Sequence, residues 1–392
     1  MQRPNKADLL TVRRSNRQVI VDAVRRGGPI SRAELSRRSQ LSKVTVSDVV
    51  EDLIGEGYLR DMGPGPADVG RKPTLLEFVG GSGFVAGLEI APQYLRVILT
   101  DLMGEAVCGD QRNIAVGSAQ ELLAAVCALI SQMRSCMPSS PYQLLGVGVA
   151  VSGLVDYKEG AVLSAPNMPW APLSLRDLIE GCLEIPAIID NEANAAMWYE
   201  HLQGEAKNLE HAVYLSAGYG LGAGILAQGS LYRGSRGLAG EMGHMIVEQH
   251  GLACSCGNRG CWEMYASEKA LRRLLGEPFS SPGAAPENFT RHVVQLARDG
   301  DSRAQESLRA VGQSLGQGIV NIASILNPQV VVLGNVLAEA WEFLYPEIVA
   351  ALDGQGLSPV TQNVAVRRAR NYRDAVVKGA AALACEASVA QI

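Results

Sequence analysis

The segment from residue 243 to residue 263, GHMIVEQHGLACSCGNRGCWE, restricts the possible folds of this chain more than any other segment. It holds three cysteines within eight residues, and two glycines between them allow so short a loop to turn back. Three thiolates and one imidazole form a ligand set that suits tetrahedral Zn²⁺. Because four protein ligands leave no open position for a substrate, the predicted metal is structural. The three thiolates come from Cys254, Cys256 and Cys261.

The imidazole of this ligand set is not fixed by spacing alone. His244 and His250 both lie in the segment and both are possible ligands. A loop without any metal is the alternative to the whole site.

The length and the N-terminus of the chain indicate a multidomain protein of the cytoplasm. A chain of 392 residues is too long for one hydrophobic core and predicts two or three domains. No apolar run reaches the roughly 18 residues that a membrane span needs, so no membrane partner is expected. The polar N-terminus has no apolar core of a signal peptide. Cytoplasmic thiols stay reduced, so we expect the scattered cysteines to be buried thiols: Cys108, Cys127, Cys136, Cys182 and Cys385.

Positive charge is concentrated at the N-terminus. Residues 1–43 carry eleven Lys and Arg against three Asp and Glu, whereas the whole chain has a net charge of −5. A basic module on an acidic body indicates a polyanionic partner for that module alone.

The same N-terminal region has the pattern of a winged helix-turn-helix. A helix over 8–27 is followed by a short helix that begins at Ser31 and by a third helix that Ser42 caps, and a strand, a loop rich in Gly and Pro, and a strand come next. The third helix would enter the major groove of double-stranded DNA with its N-terminus first. A three-helix module that binds protein is the alternative. The predicted DNA-binding residues are Ser42, Lys43, Thr45, Ser47, Arg71 and Lys72.

Residues beyond 83 form two similar units. FVAGLEIAPQYLRVILTDLMGEAVC and AVYLSAGYGLGAGILAQGSLYRG each predict strand, turn, strand, turn, strand, and helices follow each of them. Two such units suggest a duplicated α/β architecture with a cleft between two lobes. Helices are expected near 262–276, 287–310, 311–326 and 373–388.

GLAGEMGHM followed by CSCGNRGC resembles the ROK family of repressors, uncharacterised reading frames and sugar kinases, over roughly residues 83–390. The resemblance implies an α/β actin-like (ribonuclease H-like) fold of two lobes, preceded by the winged helix-turn-helix that the repressor branch carries. We therefore expect a DNA-binding domain at 1–80. Lobe 1 is expected at 81–200, completed by a C-terminal helix at about 370–392, and lobe 2 with the zinc loop at 201–370.

The resemblance also implies the residues of a sugar site. It selects His244 as the fourth zinc ligand, whose second ring nitrogen is expected to contact a sugar. Family carboxylates and amides that line the same pocket match other positions here, and Trp170 is a candidate for stacking on the sugar or for the core. The predicted sugar-binding residues are Asn167, Asn191, Glu192, Glu241, His244 and Glu263.

Kinase chemistry is not expected, because the chain departs from the family kinases at each catalytic position. Glu192 stands where the family kinases have the catalytic Asp, and its longer side chain would misplace the carboxylate. The first phosphate loop contains Pro92, which lacks a backbone N–H, and the second has Ala217 in place of Thr. The Gly-Gly pair on the adenosine side is Gly334-Asn335.

The sequence thus predicts a sugar-responsive transcriptional regulator, most simply a repressor that a sugar releases from its operator. Xylose-type repressors of the family carry Asn-Glu where kinases carry Asn-Asp, which favours xylose over glucose, N-acetylglucosamine or a glucoside. A symmetric operator requires a homodimer or a dimer of dimers, and the protein would associate with the nucleoid. An active ATP-dependent sugar kinase and a regulator that senses a protein partner are the alternatives.

Overall fold

The computed structural model describes residues 6–64, 73–114, 117–138, 143–165, 168–276 and 286–392. The chain forms an N-terminal head and two lobes that each contain a five-stranded sheet. The helices are α1 (Lys6–Gly27), α2 (Arg32–Ser39), α3 (Lys43–Gly55), α4 (Ala119–Arg134), α5 (Leu175–Leu183), α6 (Glu192–Leu202), α7 (Glu268–Leu274), α8 (Pro286–Arg298), α9 (Ser302–Leu326), α10 (Trp341–Gly354), α11 (Ser358–Thr361) and α12 (Ala375–Val389). The strands are β1 (Ile30–Ser31), β2 (Leu59–Pro64), β3 (Thr74–Phe78), β4 (Phe84–Ile90), β5 (Tyr94–Asp101), β6 (Ala106–Asn113), β7 (Leu144–Val151), β8 (Leu154–Asp156), β9 (Ala161–Ser164), β10 (Ala187–Asn191), β11 (Ala212–Ala217), β12 (Leu221–Ala227), β13 (Ser230–Leu231), β14 (Val330–Gly334) and β15 (Ala365–Arg368).

The head has three helices and a small sheet in the order β1-β3-β2. Ser31 and Ser42 cap α2 and α3, because each hydroxyl accepts a hydrogen bond from the backbone N–H three residues on. The apolar face of α3 is buried as its periodicity predicts. Strands β2 and β3 pair as an antiparallel hairpin beside the helices, so the predicted order of helices and strands is confirmed.

The two lobes repeat one sheet topology. The strand order is β10-β7-β4-β5-β6 in lobe 1 and β13-β12-β11-β14-β15 in lobe 2. In each lobe three antiparallel strands come first in the chain, and two parallel strands then extend the sheet from the first of them. The faint sequence repeat therefore corresponds to a structural repeat.

Helix α12 returns from lobe 2 and packs across the sheet of lobe 1. A Cβ at Gly87 of β4 or Gly148 of β7 would collide with the backbone of α12, and one at Gly379 of α12 would collide with the backbone of α6. Glycine at these positions brings the backbones into direct contact. Helix α12 is thereby fixed to both the sheet of lobe 1 and α6.

The far end of α12 contacts the head. Arg26 of α1 forms an ion pair with Glu386 at 3.3 Å, and Arg25 Nε donates a hydrogen bond of 2.8 Å to the carbonyl oxygen of Leu102. Apolar residues of α1 continue the same interface into Cys385 and Val389 of α12. The head is therefore joined to lobe 1 through a shared hydrophobic core.

Three of the predicted helices have different bounds. The expected helix at 262–276 is a 3₁₀ turn at Trp262–Met264 followed by α7. The expected pair at 287–310 and 311–326 is wrong, because Gly300 has φ +96° and Asp301 then caps a single helix that runs to Leu326. Among the described residues, no helix combines the length and hydropathy that crossing a bilayer requires.

The prediction that five cysteines are buried thiols is wrong at three positions. Helices α4 and α5 pack together and bring Cys127 and Cys182 to a Cα–Cα distance of 6.6 Å, where their sulfurs are bonded. Cys136 is exposed because it lies in the turn after α4. Cys385 is a buried thiol as predicted, and Cys108 is half-buried.

Candidate functional site

A half-buried carboxylate lies at the junction of the two lobes. Glu192 is the first residue of α6 and directly follows β10 of lobe 1. One of its oxygens accepts a hydrogen bond from Ser152 at the end of β7, and the other accepts a bond of 3.1 Å from Ser216 of β11 in lobe 2. Asn335, after β14, donates to the Ser216 hydroxyl at 3.0 Å. Burial raises the pKa of Glu192, and the two serine hydroxyls act against that rise.

The neighbouring predicted amide, Asn191, has a defined local role. Its Oδ1 accepts from the backbone N–H of Ala193 at 2.8 Å, and its Nδ2 donates to the carbonyl oxygen of Gly153 at 2.9 Å. The side chain therefore caps α6 and fixes the direction in which Glu192 leaves the strand.

Of two further candidates for the pocket, the structure describes Trp170 alone. Trp170 is only 7% exposed and packs in the hydrophobic core of lobe 1, so of its two predicted roles the structure supports the core. Asn167 lies outside the described residues.

The predicted zinc ligands converge in lobe 2. One ligand atom from each of His244, Cys254, Cys256 and Cys261 lies within 4.8 Å of every other. The Cys254 sulfur is 3.7 Å from His244 Nδ1, and the sulfurs of Cys256 and Cys261 are 3.5 Å apart. Tetrahedral zinc–thiolate bonds of about 2.3 Å require separations of this size.

Two glycines in the cysteine loop have the conformations that the sequence predicts. Gly257 and Gly260 have φ of +95° and +75°, and a Cβ at Gly260 would collide with the carbonyl of Glu248. The rival ligand His250 is exposed and is not part of the cluster among the described residues.

The His244 imidazole of the cluster lies beside Glu241, a carboxylate that is predicted to bind sugar. Nδ1 of His244 faces the cysteines, and its Nε2 lies 3.9 Å from Glu241 Oε2. Glu263 is buried against the other side of the cluster, with Oε1 3.1 Å from the Cys254 sulfur and 3.4 Å from Lys269 Nζ. The structure thus brings Glu241, His244 and Glu263 together around the cysteine loop.

The predicted DNA-reading surface lies at the exposed start of α3. Ser42 and Lys43 are exposed, Thr45 and Ser47 are half-buried, and the Ser42 hydroxyl also contacts that of Thr45 at 2.9 Å. Val44 projects between them with 70% of its surface exposed. The predicted wing residues Arg71 and Lys72 lie outside the described residues.

Sequence reasoning missed several residues of the cleft. Ser152 and Ser216 carry hydroxyls that no motif distinguishes from ordinary strand serines. Lys269 follows the cysteine loop by eight residues, and only the fold brings it to Glu263. Arg233 and Asp190 form an ion pair between the lobes that likewise has no sequence signal.

Comparison with known proteins places this architecture in one family. The model of the ROK family matches residues 85–387, and the chain belongs to the ROK family. The fold class is thereby confirmed as a winged helix-turn-helix followed by an actin-like body of two lobes.

The chain is similar to known regulators and to a kinase. The xylose repressor of Bacillus subtilis (strain 168) is 36% identical over 334 residues, which cover 85% of each chain. The crystal structure of a ROK family transcriptional regulator, a homolog of the E. coli MLC protein, superposes with a TM-score of 0.82 at 26% identity over 97% of each chain. A ROK family glucokinase from Streptomyces griseus, in complex with glucose and AMPPNP, superposes with a TM-score of 0.66 at 29% identity and covers 78% of this chain and 100% of that one.

The raised pKa of Glu192 predicts a stability that depends on pH. Its folded pKa is raised, so the folded state gains a proton as pH falls through that pKa, and stability decreases as pH rises through it. Glu192→Gln replaces the ionisable carboxyl with a neutral amide, so the folded variant no longer bears the free-energy cost of ionising residue 192. We expect the variant to melt higher than the native protein at about pH 7.5, by roughly 2–4 °C for a change near 1 kcal/mol, and the difference to shrink toward about pH 4.5.

Glu34→Gln is the matched control for thermal unfolding at the two pH values. Hydrogen bonds from Arg38 and Arg37 lower the pKa of Glu34, so this variant should lose stability near neutral pH and approach the native protein in acid. A Glu192→Gln variant that melts lower than the native protein at neutral pH would contradict the account.

Proposed function

We propose that this protein is a sugar-responsive transcriptional repressor whose head binds a double-stranded DNA operator and whose interlobe cleft binds the sugar. The proposal depends mainly on one observation: the same chain contains a capped, exposed recognition helix and a ROK body. In that body, polar groups from both lobes meet at Glu192. The relatives at 36% and 26% identity, a repressor and a transcriptional regulator, support the same class.

Five predicted groups give the cleft its affinity for a sugar in this proposal. Sugars offer vicinal hydroxyls, and carboxylates and amides can accept and donate in pairs to them. Glu192 and Asn191 supply such groups from lobe 1, and Glu241, His244 and Glu263 supply them from lobe 2. We assign xylose as the first candidate, because the Asn191-Glu192 pair and the relative named xylose repressor both favour it.

A structural Zn²⁺ ion completes lobe 2 in this proposal. The donor set of three thiolates and one imidazole, with its 3.5 and 3.7 Å separations, fits tetrahedral zinc. When bound, zinc would hold the loop closed and fix the imidazole, since four protein ligands leave no position for a substrate. His244 would ligate through Nδ1 and keep Nε2 for the sugar side.

The proposal excludes phosphoryl transfer as the main activity. Glu192 stands where the family kinases have the catalytic Asp, and both of its oxygens already accept hydrogen bonds from serine hydroxyls. Pro92 lacks the backbone N–H that the first phosphate loop uses, and Ala217 lacks the hydroxyl of the second loop.

The path from cleft to DNA runs through two helices. Helix α6 begins at Glu192 and packs on α12, and α12 pairs with α1 of the head through Glu386 and Arg26. A sugar that favours one arrangement of the lobes would therefore shift the head. In a homodimer this shift changes the spacing of two recognition helices, which weakens binding to a symmetric operator.

Two variants separate the sugar function from the DNA function. Glu241→Ala removes one sugar acceptor from an exposed position, so it should abolish thermal stabilisation by D-xylose and leave affinity for operator DNA unchanged. Lys43→Ala removes one exposed phosphate contact, so it should weaken DNA binding and flatten its dependence on salt by about one counterion, with the response to sugar intact.

Thermal shift assays with a sugar panel and gel-shift assays with DNA fragments from the protein's own regulatory region test this separation. Absence of any sugar response in the native protein, or rapid ATP-dependent phosphorylation of a sugar, would contradict the proposed function.

Zinc content tests the metal assignment independently. We expect one zinc per chain by elemental analysis, and Cys256→Ser should lose it because one thiolate is removed from an exposed ligand position. Cys136→Ser, an exposed cysteine outside the cluster, is the control and should retain zinc. Equal zinc content in both variants would refute the ligand set.

A further inference from the structure

An ion pair between the lobes lies directly beside the proposed sugar site. Arg233, in the loop after β13 of lobe 2, donates from Nε at 2.9 Å and from Nη2 at 2.7 Å to Asp190 Oδ2 of β10 in lobe 1. Asp190 is 1% exposed, and its Oδ1 accepts from Asn194 Nδ2 at 2.9 Å and from the backbone N–H of Asn191 at 2.8 Å. The carboxylate is therefore fully bonded and fixed in one orientation.

The guanidinium of Arg233 also stacks on lobe 1. Its central carbon lies 4.0 Å from the centre of the Tyr157 ring, in the turn between β8 and β9. The same loop of lobe 2 comes close again at Gly237, where a Cβ would lie 3.0 Å from the backbone nitrogen of Tyr157. Arg176 holds that turn to lobe 1 through its bond to the Tyr157 carbonyl. The Arg233 guanidinium thus contacts both the Asp190 carboxylate and the Tyr157 ring of lobe 1.

In the chain, Asp190 and Arg233 each lie close to proposed sugar-binding residues of their own lobe. Asp190 immediately precedes Asn191 and Glu192, the proposed sugar groups of lobe 1. Arg233 begins the loop that ends at Glu241 and His244, the proposed sugar groups of lobe 2. The Ala239 N–H closes this loop onto the Arg233 carbonyl at 3.1 Å. One ion pair therefore ties together the two halves of the proposed site.

We propose that Arg233 is a positioning residue for effector binding, which holds the two lobes at the separation at which their sugar-binding groups act on one sugar. This inference rests on the proposed function. Only a guanidinium can fill the role, because Nε and Nη2 both bond one carboxylate oxygen while the planar group stacks on Tyr157. A lysine at this position keeps the charge and loses the fork and the stacking.

The test uses calorimetry and thermal unfolding on the full-length protein. D-xylose, D-glucose and N-acetylglucosamine are titrated into the native protein, and the sugar that binds is used for every variant. We expect Arg233→Lys to weaken its affinity about tenfold, a typical coupling. Arg298→Lys, in an ion pair with Glu342 that lies within lobe 2, is the matched control and should bind like the native protein.

A double-mutant cycle separates positioning from simple loss of stability. Asp190→Asn and Arg233→Gln should each weaken sugar binding, and the double variant should recover part of the loss because two amides replace the ion pair without a buried charge. A purely structural pair would change the melting temperature and leave sugar affinity unaltered in all variants.

The outcomes separate the inference from the function on which it rests. Native affinity in a folded Arg233→Lys protein overturns the inference and leaves the proposed function standing. If Arg233→Lys does not fold, Tyr157→Leu removes the stacking face without changing charge, and native affinity there overturns the inference as well. If the native protein binds none of the three sugars, the proposed function fails and the inference fails with it.

Discussion

The structure depends on a carboxylate that receives hydrogen bonds from both lobes. Glu192 accepts from Ser152 of lobe 1 and Ser216 of lobe 2, and burial raises its pKa. A carboxyl that is partly removed from water is costly unless its oxygens are bonded. The relative position of the lobes and the hydrogen bonding of Glu192 are therefore linked. A sugar that bonds to the same carboxyl would compete with these serines or add to them. Either event changes the position at which the lobes are most stable.

Helix α12 joins the cleft to the head and in this proposal would carry such a change out of the cleft. Its close backbone contacts through Gly87, Gly148 and Gly379 leave little freedom for sliding, since interiors this dense move as units. The last turns of α12 share a hydrophobic core with α1, so the head packs directly on this helix. A continuous series of packed elements thus joins the head to the cleft, although the two are far apart in sequence.

Local patterns in the sequence predicted much of this molecule. The caps at Ser31 and Ser42, the apolar face of α3 and the convergence of three cysteines follow from hydroxyl positions, periodicity and the cysteine spacing. The choice of His244 over His250 came from family resemblance. Contacts between distant segments were beyond reach, because nothing in the sequence near Arg233 or Asp190 indicates their partners.

The predictions from the sequence that were wrong also concern features that local patterns do not show. Cys127 and Cys182 were predicted to be separate buried thiols, because nothing in the local sequence shows that α4 packs on α5. The division of helix α9 was misjudged because a single glycine with positive φ decides where the helix begins. The loss of kinase chemistry and the sugar identity stay predictions, since they rest on substitutions at single positions.

Hydrogen exchange in the presence and absence of D-xylose tests the central claim most directly. Our account predicts slower exchange at the start of α6 and across residues 233–244, together with a change at the α1–α12 contact in the head. Protection confined to the cleft, with unchanged exchange in α1 and α12, would contradict the link between sugar and DNA. Exchange that xylose leaves unaltered throughout the chain would contradict xylose as the ligand of the cleft.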